Sequence, residues 1–407
     1  MCIVTHMGGP VLGAARPMIV SAYVAFAAFG AFWGLWGAAV PSVRDQAGIS
    51  AGQLGFALLF IGAGALPAMV VMGKALDRWG LRLTAVTTGA LGLVGIGLAL
   101  TAVDLVSLCV GLAVVGATSG AGDVAINALA GRAERIAGRP VIIRAHGVFS
   151  SFVVIGSLAT GVAAELPLVV SFVAVAVIAL AAGAVLLRLV PAHATAYGHT
   201  TTTPVPTALW RITPLMIIGV LGALAFAAEN AHQSWSAVFA RDELQSSAGL
   251  SAVAPAVFAA TVAITRFITG GLKSVNARTV LLVGASAAAT GTVVIAAAST
   301  LFVAALGLAA AAAGTAVLFP TIVSVVSRNV DESHRGRATS VVTTVAYLGF
   351  LLGPVYVGLW AEAVGMRGAM LSVAALSVAL FALTPILLRL SGFERRRRAH
   401  HAAPTLR

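Results

Sequence analysis

Ser119, Asp123 and Asn127 follow one another at steps of four residues inside an otherwise apolar stretch, which sets all three on one face of a helix. A carboxylate in such a place is costly and by default marks a solute pathway or a proton relay. The competing reading is a structural pair with Arg132 or Arg144 that joins two helix ends. A second stripe, Glu229, His232, Gln233 and Ser236, recurs at i, i+3, i+4 and i+7, with Asn230 and Trp235 beside it. It can wall a water-filled cavity and hold a ligand, or it can be a helix end exposed at the membrane surface. Phe26, Phe29, Trp33 and Trp36 also share helical spacing. Trp36 fits packing or a headgroup-level aromatic belt, while Trp33 lies deeper and fits either packing or stacking on a solute. The candidate set is therefore Asp123 as proton carrier, with Trp33, Asn127, Glu229, Asn230 and Gln233 as substrate contacts.

The elements that must position these groups are membrane spans. Of 407 residues, 59% are hydrophobic and 9% carry charge, against about 25% charged in a soluble domain. This excludes a water-soluble monomer, and it excludes disorder, which needs low hydrophobicity and high charge. Apolar runs reach twenty residues and more without the alternation of a β-barrel, so the fold class is an all-α membrane protein. A bilayer crossing needs about 20 residues. Twelve spans are predicted near 18–40, 53–72, 83–102, 105–130, 146–163, 168–188, 213–239, 250–271, 280–299, 301–324, 339–361 and 368–389. Residues 189–212, with Thr200 to Thr203 and Pro191, Pro204 and Pro206, read as a linker. The organisation expected is an N-terminal segment (1–17), a six-helix bundle (18–188), the linker (189–212), a second six-helix bundle (213–389) and a basic tail (390–407).

The formal net charge of +12 is a topology signal. With the N-terminus inside, 21 of the 25 Lys and Arg residues fall on one side, among them Lys74, Arg78, Arg82, Arg132, Lys273, Arg335 and Arg395 to Arg398. The other side holds Arg44, Arg241 and Arg367, while Arg266 sits near the inner end of the eighth span. By the positive-inside rule both termini are cytoplasmic, in the inner membrane. The basic tail meets anionic lipid rather than nucleic acid, and Arg266 fits snorkelling to the interface. Residues 1–17 lack the charged start and apolar core of a signal peptide.

Absences narrow the class further. Cys2 and Cys109 make neither a disulfide framework nor a metal site, and His193, His199, His400 and His401 lack metal spacing, so no cofactor is expected. The chain has no phosphate-binding Gly-x-x-x-x-Gly-Lys-Ser/Thr loop and no convergent catalytic set in its connections, which argues against a nucleotide-driven pump and against an enzyme. The two halves echo each other: Gly353, Gly358 and Glu362 stand 197 residues after Gly156, Gly161 and Glu165. Parallel six-helix repeats around a midplane site are a transporter architecture.

The run Gly73-Lys74-Ala75-Leu76-Asp77-Arg78-Trp79-Gly80-Leu81-Arg82 resembles the signature loop between helices two and three of the major facilitator superfamily, with Leu81 departing from its first basic position. The expectation is that Gly73 permits close helix approach, that Asp77 accepts from donors at a neighbouring helix end, and that Gly73, Asp77, Arg78 and Arg82 form a conformational latch. Arg335-Gly336-Arg337-Ala338 leading into Tyr347-Leu348-Gly349-Phe350-Leu351-Leu352-Gly353-Pro354 is similar to the tenth-to-eleventh helix region of that superfamily. Glu229-Asn230-Ala231-His232-Gln233-Ser234-Trp235-Ser236-Ala237 and Asp123-Val124-Ala125-Ile126-Asn127 resemble segments of its YbjJ-like bacterial branch, whose pattern Arg266 also matches; Asn230 and Ser234 replace the usual Gly and Asp. The Asp…Asn pair parallels the Glu…Asn pair of the related fucose–proton symporters, which implies a proton-taking role for Asp123. The resemblance implies a twelve-helix, monomeric secondary transporter of a small polar solute, proton-coupled, working by alternating access. The alternatives are efflux by proton antiport, disfavoured because Gly156-Ser157 stands where drug–proton antiporters carry Gly-Pro, and a non-transporting sensor or scaffold on the same fold.

Overall fold

The computed structural model describes residues 9–192, 212–270, 276–330 and 334–393. Residues 1–8, the linker from 193 to 211, Lys273 and the tail from 394 to 407 with its arginines lie outside the described residues.

Lipid offers no partner to a free N–H or C=O, so the spanning backbone must satisfy itself within helices. The described residues obey this, with no strand among them. In the first half α1 is Gly9–Ala47, α2 Ala51–Trp79, α3 Leu83–Thr101, α4 Leu105–Ala137, α5 Ile142–Val162 and α6 Leu168–Leu189. The second half holds α7 (Ile212–Asp242), the short α8 (Ala248–Ser251), α9 (Val253–Gly270), α10 (Ala277–Ala297), α11 (Leu301–Ala316), α12 (Leu318–Asn329) and α13 (Arg335–Leu390). α8 and α9 together make one crossing, as do α11 and α12. α13 has 56 residues, or about 84 Å at 1.5 Å per residue, far beyond a hydrocarbon core of about 30 Å. It turns at Gly365, where φ is 77°, a value that glycine tolerates and L side chains resist. With that turn the helices make the twelve predicted spans. Large apolar side chains face outward, as lipid requires: Val162 is 88% exposed and Phe267 83%.

The chain forms two compact units, one from the residues up to Ile49 and from Ala57 through α6, the other from Ser50–Phe56 and from α7 onward. In the first, α1 packs on α5, α4 and α6, and α3 packs on α6 and α4, around Ala22, Phe26, Ile126, Leu129 and Leu186. In the second, α7 packs on α13, α10 on α11 and α13, and α9 on α11, around Leu215, Ile218, Leu281, Ile322 and Val342. That unit also includes the Gly52 N–H donating to Glu362 Oε2 at 3.0 Å. The echo between halves has a packing meaning. A methyl group on Gly156 would lie 2.6 Å from the Ala31 carbonyl oxygen of α1, and one on Gly353 would lie 2.9 Å from the Ala227 carbonyl oxygen of α7. Each glycine lets two helix backbones touch, which is how helices associate where lipid is as apolar as they are.

Two expectations about the end of the second span need correction. The Gly73 to Arg78 segment is helix rather than loop: Lys74, Ala75 and Leu76 favour helix, Ala75 and Leu76 bury against the unit, and α2 stops only before Gly80, where φ is 77°. Gly73 supports no close approach, since a methyl group there would meet nothing within 4 Å. The tenth span is present and is broken at Val317, because Pro320 in the first turn of α12 has no N–H for the Ala316 carbonyl. α1 begins at Gly9, and its apolar spanning part begins at Arg16, close to the predicted start near residue 18.

Candidate functional site

The first unit builds its polar group on α4. That helix starts at a capping box in which the Asp104 carboxylate accepts from the Ser107 N–H, and it ends at left-handed Gly138. Within it the Asn127 amide donates to Asp123 Oδ1 at 3.1 Å and to the Asp123 carbonyl at 2.9 Å. Both side chains are half-buried. The partner of Asp123 is thus a neutral amide one turn away, not Arg132 or Arg144. Ser119 turns inward, buried, and donates to the Gly116 carbonyl.

Beside this pair lies an aromatic row. Gly122 sits close to the Phe29 ring, 3.4 Å from where its methyl group would be. Phe29 meets Trp33 edge-on at 6.3 Å and tilts against Phe149 of α5 at 5.9 Å, while Phe26 meets His146 edge-on at 4.9 Å. Trp33 keeps a partly exposed face, whereas Trp36 is buried and serves packing. Asp123, Asn127 and Trp33 therefore belong to one unit whose α1, α4 and α5 present a carboxyl, an amide and π-faces.

The second unit builds a different group. Arg266 of α9 donates to Glu229 Oε1 of α7 at 2.8 Å, and its Nε–H donates to the Ala316 carbonyl at 3.3 Å. That carbonyl closes α11 and is the one Pro320 leaves without a helical donor, so the guanidinium fills a gap that the broken helix creates. The pairing also corrects the reading of Arg266. Its guanidinium turns to Glu229 at 2.8 Å rather than snorkelling to the interface. An aromatic cluster adjoins Glu229 one turn earlier. Phe226 tilts against Phe319 of α12 at 4.1 Å and meets Tyr347 and Phe350 of α13 at 5.7 and 6.3 Å.

The remaining stripe residues divide. The Asn230 amide donates to the Phe350 carbonyl at 2.6 Å and accepts from the Ser234 hydroxyl at 3.1 Å, so it ties α7 to α13. His232, Trp235 and Ser236 are buried inside the unit, and Gln233 is exposed. Sequence reasoning left Phe226 and Phe319 unassigned; the signal for Phe226 was its place three residues before Glu229, on the same helical face. Phe319 carried no such signal, because its role depends on the break before α12.

Among the latch candidates, Asp77 and Arg78 are exposed at the end of α2, and among the described residues no donor sits on the Asp77 carboxylate. Arg82 Nε–H donates to the Val190 carbonyl at the end of α6, 3.0 Å away. Among the described residues no group of three His, Cys, Asp or Glu could hold a metal ion.

A family profile described as Major Facilitator Superfamily matches residues 22–274 and 273–405. The chain is 29% identical over 377 residues to an uncharacterized MFS-type transporter of Yersinia pestis, covering 90% of this chain and 93% of that one. It is 27% identical over 355 residues to an uncharacterized transporter of Sinorhizobium fredii, covering 86% and 92%. Among solved structures, a variant of the nucleoside transporter NupG has a TM-score of 0.77 at 13% identity, covering 92% of this chain and 99% of that one. The D-xylose–proton symporter has a TM-score of 0.74 at 13% identity, covering 91% and 97%. At these identities the likeness to the solved structures shows the fold.

Proposed function

The chain belongs to the Major Facilitator Superfamily and is a multi-pass membrane transporter, and from that premise we propose that it carries a small polar solute by alternating access, coupled to protons through Asp123. The observation that carries this reading is the partner of Asp123. A carboxylate hydrogen-bonded to a neutral amide gains or loses a proton without stranding a counter-ion. A carboxylate bound to a guanidinium, as Glu229 is, cannot do so without leaving a cation uncompensated. The proposal thus separates the roles: Asp123 takes the proton, with Asn127 orienting it, and Trp33 offers a face for the solute. Glu229 and Arg266, beside Phe226 and Tyr347, supply a fixed dipolar group that selects a polar solute. Solved proteins of like fold are described as handling nucleosides and D-xylose, which fits a solute with a ring or sugar face and hydrogen-bonding groups. Asp77 and Arg78, exposed at the end of α2, are the proposed latch; we place the protein in the inner membrane with both termini cytoplasmic.

The test has two stages. A panel of metabolites is screened for thermal stabilisation of the purified protein, and the best binder is followed in proteoliposomes under an imposed pH gradient. Asp123→Asn is expected to lose accumulation driven by the gradient while keeping solute exchange across the membrane. Gradient-driven accumulation by Asp123→Asn with the parent's pH dependence would overturn the coupling assignment.

A further inference from the structure

A buried contact in the second unit has one proton too few in its neutral form. His232 of α7 is 1% exposed and stacks on Phe258 of α9. Its Nδ1 lies 2.6 Å from the Ala228 carbonyl oxygen, and its Nε2 lies 2.8 Å from Thr292 Oγ1 of α10. Thr292 Oγ1 in turn lies 2.6 Å from the Ala288 carbonyl oxygen. Carbonyl oxygens only accept, so Nδ1 must carry a hydrogen, and the Thr292 hydroxyl must point its single hydrogen at Ala288. The contact between Nε2 and Oγ1 then needs a third hydrogen, which only Nε2 can supply. A neutral imidazole and one hydroxyl have two hydrogens between them for three contacts, whereas an imidazolium and a hydroxyl have three. With the ring neutral, the hydroxyl can satisfy Nε2 only by swinging off Ala288.

We propose that His232 and Thr292 form a proton-binding site of the second unit, in which uptake of one proton at Nε2 completes a chain from Ala228 through His232 and Thr292 to Ala288 and ties α7 to α10. The proton comes from water and adds to the Nε2 lone pair, and no other covalent bond changes. On release it returns to water, and the Thr292 hydroxyl turns from the Ala288 carbonyl to the bare ring nitrogen. Buried Trp235 Nε1 and Ser236 Oγ lie within the next turn of α7 and have no hydrogen-bond partner, so this stretch of helix holds further polar groups that the protein itself does not saturate.

The acidic groups flanking this stretch of α7 already have partners. Glu229, one turn before His232, is paired with Arg266 of α9, and Glu243, just past the end of α7, is paired with Arg367 of α13. α10 contributes only Arg278, fourteen positions before Thr292, and α11 contributes none. From α13, the Tyr356 hydroxyl donates to the Ser372 carbonyl, the Tyr347 ring packs on Phe226, and the Glu362 carboxylate accepts from Gly52. The imidazolium would thus be held by neutral oxygens. The use of the site in transport rests on the proton-coupled reading above; the site itself does not.

The full chain, labelled with ¹⁵N at histidine and reconstituted in liposomes, tests the proposal by solid-state NMR between about pH 4 and 8, with His232→Gln assigning the signal. The parent is expected to show a ring protonated at both nitrogens at the acid end, converting to the tautomer with hydrogen on Nδ1 as pH rises. Thr292→Val should lower the proton affinity roughly tenfold, a change of one pKa unit, and Thr292→Ser should leave it as in the parent. A single neutral tautomer across the whole range would overturn the proposal, as would a transition that Thr292→Val does not move. Because the readout is the ring and not flux, the site and the Asp123 coupling can fail separately.

Discussion

The two units carry the same helix plan and opposite electrostatics. In the first, an acid within α4 is held by the amide of Asn127. In the second, an acid within α7 is held by the guanidinium of Arg266, itself anchored on the broken end of α11. Duplicated architecture thus fixes where backbones touch, at Gly156 and Gly353, and leaves the chemistry of each half free to differ. What decides the work of a buried carboxylate is its partner: a neutral one permits a change of charge, a cationic one opposes it.

The largest stability contrast should come from removing those partners. Arg266→Leu strands Glu229 at 15% side-chain exposure, while the lost guanidinium is itself 46% exposed. A fully buried pair broken on one side costs about 3–5 kcal/mol and an exposed one at most about 1 kcal/mol, so a loss of about 2–3 kcal/mol is expected by denaturation in detergent. The double variant Arg266→Leu with Glu229→Gln should recover most of it. Asp123→Asn should change stability by less than about 1 kcal/mol, since only one neutral hydrogen bond is altered. Equal costs for Arg266→Leu and Asp123→Asn would erase the distinction between the two units.

Much of this was legible in the sequence. The length of the apolar runs gave the twelve crossings and the all-helical class, because lipid forces long uninterrupted apolar helices. Asp123 and Asn127 were legible because i, i+4 spacing is local. The Glu229–Arg266 pair was not, since the two lie 37 positions apart and on different helices, so no pattern along the chain records the contact. The same holds for Asn230, whose partner is the Phe350 carbonyl 120 positions away. The loop signature after the second span misled about local structure for a different reason. Its residues mark a helix end at the membrane surface, and polar helix formers such as Lys74 and Arg78 continue the helix where the apolar run has stopped.

A smaller contrast tests the shared architecture. Gly156→Ala and Gly353→Ala each push a methyl group to within 3 Å of a backbone oxygen on the partner helix. Each should cost about 1–2 kcal/mol through forced helix separation. Similar losses in both units would confirm that the repeat is a packing repeat; a loss in only one would confine the close contact to that half. Gly73→Ala faces open space and should gain up to about 1 kcal/mol from helix propensity. If it also slows transport without loss of stability, the latch assigned to the end of α2 gains support from kinetics.

The smallest effect concerns an acid outside the spans. Asp104 caps α4, and the hydrogen bonds from the Ser107 N–H and hydroxyl hold its carboxyl below the usual carboxylate range. Because the folded value is depressed below the unfolded value of about 3.9, the stabilisation it adds is in place above that pH. It is lost as pH falls through the lowered folded value. Asp104→Asn keeps a capping oxygen and removes the titration. Its thermal unfolding should therefore match the parent closely near neutral pH and fall less steeply than the parent's in acid. Transport measured above about pH 5 should be unaffected, since the Asp104 carboxylate stays ionised throughout that range. A change in the pH profile of transport on Asp104→Asn would mean that an exposed cap, and not only a carboxylate inside a span, feeds into the coupled proton.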